Sequence, residues 1–138
     1  MRLLNLTLTS PISVTTSTPM QVRDEVPTLL AQCAFTYGSG GVSADAYLQT
    51  SIDGGASWID IANWHWTTTS GKSVCNLSSN TVITTFYTPT DGSLASNTCK
   101  DGVLGSQFRV KYQSSGTYAG GTTLTVDVAG NSGGLAGL

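Results

Sequence analysis

The strongest constraint in this sequence is a two-residue apolar rhythm, repeatedly cut short by glycine. In "LLAQCAFTYG", Leu29, Ala31, Cys33, Phe35 and Tyr37 fall on one side, and "GSGG" at 38 to 41 interrupts the run. The next segment, "VSADAYLQTSI", puts Val42, Ala44, Ala46, Leu48, Thr50 and Ile52 on one side. Successive side chains of a strand point to opposite faces, so a period of two marks a strand with one face in a core. Nothing in the chain carries the 3.6-residue period over the length a helix needs. Charged residues are 10% of the 138 residues, and glycine, serine and threonine separate the short runs. The chain is therefore expected to be all-β, a single-domain antiparallel β-sandwich or jelly-roll-like barrel of about eight strands.

Three regions follow from the pattern. Residues 1 to 28 contain "RLLNLTLT", with Leu4, Leu6 and Leu8 in phase, and then Pro11, Pro19 and Pro27. Proline removes a ladder donor, so this part reads as an N-terminal extended arm or edge strands. Residues 29 to 128 are the sandwich domain, and residues 129 to 138, "AGNSGGLAGL", are a glycine-rich C-terminal tail. Within the body, "SWIDIANWHW" has apolar groups on both sides, which implies burial on both faces or a bulge. "TVITTFYT" at 81 to 88 is expected to be a strand ended by the turn sequence "PTDG". A loop is expected to run on to Gly105, with "SQFRVKYQ" and "TTLTVDV" as the last two strands.

"SIDGGASW", residues 51 to 58, resembles the Asp-box of sialidases and other β-propellers, through Ser51, Asp53, Gly55, Ser57 and Trp58. A propeller needs at least four blades of about 40 to 50 residues each. One motif in 138 residues leaves only the local meaning, a structural turn between two strands whose glycines supply positive φ.

The charge inventory narrows the partners. The formal net charge is −2, and the six lysines and arginines are scattered, so no basic stripe is available to neutralise phosphates. Nucleic acid and membrane are not expected partners, since no run approaches the length of a membrane span and the N-terminus lacks a secretory h-region. His65 is the only histidine, and no recognisable triad segment accompanies it. Asp53, Asp91 and Asp101 precede glycine, where a carboxylate commonly bonds its own turn. No catalytic residue, cofactor or metal is assigned, and the chain is read as a non-enzyme. Cys33, Cys75 and Cys99 lack metal-ligand spacing; Cys33 reads as a buried thiol, while pairing of Cys75 with Cys99 stays open. Trp64 and Trp66 form the alternative reading, a glycan platform of a carbohydrate-binding module, against the simpler role of tryptophan in a core.

A chain with so few charges cannot guard sheet edges in the usual way, which favours assembly. Five segments, "FTYGSGG", "QTSIDGGASWIDIANW", "TPTDGSLASNT", "DGVLGSQFRVKY" and "GTYAGGTTL", look like a group of small all-β proteins of tailed bacteriophages. They lie between Phe35 and Leu124. The resemblance implies a virion structural protein made in the host cytoplasm, one that decorates or cements the capsid surface, with a tail or baseplate component as the alternative. Its implied partners are the major capsid protein and copies of itself. A homotrimer follows by analogy with three-fold capsid positions, and the arm and tail are the segments expected to touch neighbours.

Overall fold

A computed structural model of the protein describes residues 1–22 and 26–130; the tail expected at 129 to 138 lies outside them from residue 131 onward. Among these residues there are eleven strands and no helix. They are β1 (Arg2–Thr7), β2 (Ile12–Thr16), β3 (Met20–Gln21), β4 (Thr28–Thr36), β5 (Ser39–Gly40) and β6 (Ser43–Ser51). The rest are β7 (Ile59–Trp66), β8 (Gly71–Ser78), β9 (Gln107–Ser115), β10 (Tyr118–Ala119) and β11 (Thr123–Gly130). One main sheet has the order β1-β11-β4-β8, the other has the order β2-β9-β6-β7 with β3 also pairing β9, and β10 and β5 form a separate two-stranded ribbon. All pairings are antiparallel, and the two sheets close on one hydrophobic core. The protein is an all-β sandwich.

The alternation explains the core directly. β4 contributes Leu29, Ala31, Cys33 and Phe35, β6 contributes Ala44, Ala46 and Leu48, and β11 contributes Leu124, Val126 and Val128, all buried. Phe108 and Val110 do the same from β9. Full burial of one such aliphatic or aromatic side chain stabilises by about 1.5–3 kcal/mol, so the core as a whole drives closure of the sandwich. At one end, Tyr118 packs edge-on to Phe35 and its ring lies against Gly41, where φ is 71° and a Cβ would stand 2.3 Å from the ring. No side chain other than hydrogen fits there.

The proline-marked segment lies in the body of the sandwich. β1 is an edge strand of the first sheet, while β2 and β3 line the edge of the second. Leu4, Leu8, Met20, Val22 and Val26 are core residues, so the described residues of this segment, 1 to 22 and 26 to 28, are built into both sheets.

Two elements depart from the pattern. Residues 81 to 88, predicted as a strand, form none. The partner they would need, the outer edge of β7, is occupied by chain further along. Asp60 N–H donates to Thr90 O, Asn63 N–H to Thr98 O, and Lys100 N–H to Ile61 O. β-propensity reports fit to a half-buried pleated surface, and without such a surface the β-branched run has nothing to pair with. Conversely, "GKSVCNLS", which has no clean alternation, is the eight-residue β8, because β4 offers it a full ladder from Thr28↔Ser78 to Phe35↔Gly71.

Candidate functional site

The strand with two apolar faces contains a β-bulge. Leu48 pairs with Ala62 and Gln49 with Asp60, so Ile61 is the extra residue. A bulge reverses the facing of everything beyond it. Asp60 would otherwise share the inward face of Ala62, Trp64 and Trp66; the bulge turns it outward beside Gln49. Its carboxylate then accepts from Gln49 Nε2 (2.8 Å), Thr90 Oγ1 (2.8 Å), and the backbone N–H of Gly92 (2.7 Å), Ser93 (3.0 Å) and Leu94 (3.1 Å). Asp60 is 1% exposed. The "TDGSL" turn is thus wrapped around an internal anion, in the way a nest of backbone amides wraps a phosphate.

Around this anchor sits the densest polar network of the described residues. Gln49, also buried, donates to Asp91 Oδ1 (2.6 Å) and accepts from Arg109 Nε (2.8 Å). Lys111 Nζ lies 3.0 Å from Asp91 Oδ1. Burial opposes ionisation of Asp91, but hydrogen bonds from Gln49 and Lys111, with Arg109 nearby, hold its carboxyl below the usual range. The Arg109 guanidinium also covers the Trp58 ring at 4.1 Å. Every charge in the network has a partner within it, so the network's local work is to pin residues 90 to 94 onto the second sheet. Sequence reasoning placed Asp91 in its turn but missed Asp60, whose role depends on the bulge.

The Asp-box residues form a self-contained staple. Ser51 Oγ donates to Asp53 Oδ1 (2.8 Å) and accepts from Gly55 N–H (2.9 Å), while Ser57 gives Asp53 both its N–H (2.9 Å) and its hydroxyl. These bonds, those from Ser57 first, draw the Asp53 carboxyl down to about 2. Gly55 has φ 91°, and Trp58 folds its ring under Arg109. The acceptor capacity of Asp53 is directed into its own turn.

Neither Trp64 nor Trp66 offers an open ring face on an exposed sheet. Trp64 is 4% exposed and belongs to the core. Trp66 stacks on Phe35 with centroids 5.7 Å apart and donates its indole N–H to Cys33 Sγ (3.3 Å). Cys33 is buried, which pushes its thiol up to about 12. His65 points outward, its Nδ1 2.8 Å from Asp45 Oδ1 across the β6–β7 pair. Among the described residues no hydroxyl or thiol hydrogen-bonds to its imidazole, and no group of three or more His, Cys, Asp or Glu is placed to hold a metal ion.

The surface feature that stands out is the segment the sequence marked as a strand. Val82 is 80% exposed and Phe86 is 104% exposed, with Ile83 also exposed between them. Val14 on edge strand β2 and Val74 on edge strand β8 are exposed too. The chain from β8 to β9 therefore has two halves: residues 90 to 100 are bound to β7, and residues 81 to 86 present apolar side chains to the outside. No protein-family model, no curated protein and no solved structure matches this chain.

Proposed function

We propose that this chain is a non-enzymatic structural protein of a phage virion that decorates or cements the capsid shell, docking through residues 81 to 86. The observation that carries the reading is the exposure of Val82 and Phe86 on a segment with no strand partner. An extended apolar segment beside a rigid sandwich is the form that a neighbouring protein captures by strand addition or in an apolar groove. The edges support assembly as well: β2 carries no charged residue, and β8 carries only Lys72. Neighbouring major capsid protein is the partner that the sequence resemblance implies. Apolar contact repeated at every copy then adds buried area across the joints of the shell and stabilises it by mass action.

The test uses capsids of the encoding phage prepared without this protein, to which the purified chain is added and sedimented. Burying one phenylalanine is worth about 1.5–3 kcal/mol, so Phe86→Ser is expected to weaken binding by about 10- to 100-fold while the free protein keeps its stability. Undiminished occupancy by the variant overturns the docking segment. Absence of the protein from heads, with a few copies on the tail, overturns the capsid reading in favour of the tail.

A further inference from the structure

Cys75 and Cys99 are 24 positions apart in sequence, but the fold brings them together. Cys75 is on β8, opposite Ala31 of β4, with its side chain on the face packed toward the core. Cys99 makes an isolated bridge with Ala62 at the outer edge of β7, so it belongs to the chain that covers the second sheet. The two thiols line one hollow of about 160 Å³ together with Asn63, Trp64 and Asn97. Asn97 is held there at φ 58°, donating its N–H to Asn63 Oδ1 (2.9 Å) and accepting the His65 N–H on its side-chain oxygen (3.0 Å). The backbone on both sides of the pair is therefore fixed by ladder and side-chain hydrogen bonds.

We propose that Cys75 and Cys99 are a disulfide-forming pair that links the edge strand of one sheet to the covering chain of the other. The oxidant is a small-molecule disulfide such as glutathione disulfide. The Cys99 thiolate attacks one sulfur of that disulfide, forming a mixed disulfide and releasing one glutathione thiolate. The Cys75 thiolate then attacks Cys99 Sγ and releases the second. The two protein thiols are oxidised, the glutathione disulfide is reduced to two glutathiones, and the two protons pass to the released thiolates. The order follows from exposure, since Cys99 is exposed and Cys75 is half-buried. Burial, with Cys99 alongside, pushes the Cys75 thiol up to about 12. Capping Cys99 as a neutral mixed disulfide removes the part due to a Cys99 thiolate, so closure proceeds faster as pH rises. The bond would form as the protein leaves a thiol-rich compartment for an oxidising one.

Dilute purified protein is incubated with excess glutathione disulfide at pH 8, and intact mass, free thiols and linked peptides are measured. The expected product is monomeric, has lost two hydrogens, retains the single Cys33 thiol and yields a Cys75–Cys99 cross-linked peptide. Its Tm exceeds that of the dithiothreitol-treated protein by about 5–10 °C. Cys75→Ser should stop at a stable glutathione adduct on Cys99. A persistent Cys99 adduct in the wild-type protein, a disulfide-linked dimer, or a bond involving Cys33 would each overturn the assignment.

Discussion

Replacing Asp60 by alanine tests whether an internal anion holds the long covering chain in place. The substitution removes the acceptor for three backbone amides, those of Gly92, Ser93 and Leu94, and for the side chains of Gln49 and Thr90. A hydrogen bond to a charged group contributes about 1.5–3 kcal/mol net, and a buried donor left without a partner costs about 1–3 kcal/mol. These contributions do not add in full, because the 90 to 94 turn can open and let water reach its amides. The expected loss is about 3–5 kcal/mol, in the range of a broken buried polar network. Asp60→Asn keeps one acceptor oxygen but turns an amide toward donors, and its loss should be about 2–3 kcal/mol. Urea unfolding monitored by tryptophan fluorescence reads both values, with the alanine variant's midpoint falling by about 1.5–2.5 M for an m-value near 2 kcal/mol/M. Amide exchange should accelerate first in residues 90 to 100, ahead of β9 and β11. If both variants stay within about 1 kcal/mol of the wild type, the covering chain is held by something other than this carboxylate, and the reasoning fails.

Four further outcomes follow from other parts of the molecule. The Asp53 carboxyl lies at about 2 in the folded protein, below its unfolded value of about 3.9, and Asp91, Asp101 and Asp127 are lowered as well. Depressed carboxyls give stability that is present above the unfolded value and is lost as pH falls through the folded one, so acid unfolding should steepen between about pH 4 and 2. Asp53→Asn should flatten that part of the profile, and an unchanged slope would count against the staple. Trp66→Ala removes the ring stacked on Phe35 and the donor to Cys33, and should cost about 3–4 kcal/mol in the same urea assay. A glycan array should give no signal that Trp66→Phe abolishes. Deleting residues 1 to 22 strips Leu4, Leu8, Met20 and Val22 from the core, so the truncated chain should lose its β-sheet circular dichroism rather than merely its partner.

What was legible in the sequence was whatever the period of two expresses without outside help. Within β4, β6, β9 and β11 the alternation names the buried residues, because one face of each meets the opposite sheet, whereas Val42 and Ile52, expected on the same face as Ala44 to Thr50, lie just beyond the ends of β6 and are exposed. The Asp-box was legible for a different reason: its hydrogen bonds close within seven residues and need no tertiary partner. Errors begin where pairing is decided at a distance. β8 has a poor pattern but a ready edge in β4, whereas residues 81 to 88 have a strong pattern and find the β7 edge taken. Asp60 was hidden because one bulged residue, Ile61, inverts its facing, and alternation read in register assigns it to the wrong side. The meeting of Cys75 with Cys99 is likewise a product of the sandwich, since the two belong to different sheets' edges. The composition carried the further expectation that edges poor in charge sit against other proteins, and exposed Val14, Val74, Val82 and Phe86 give that expectation specific atoms.

The central claim is that this sandwich completes its surface against other protein molecules through the apolar segment at 81 to 86. Amide exchange across that segment and edge strand β2, measured on the free protein and, following the function proposed above, on purified phage particles that carry it, tests it most directly. The account predicts fast exchange in the free chain and strong protection of residues 81 to 86 on particles, at hundreds of copies per head. Equal exchange in both states, or a chain absent from the particle, would contradict it.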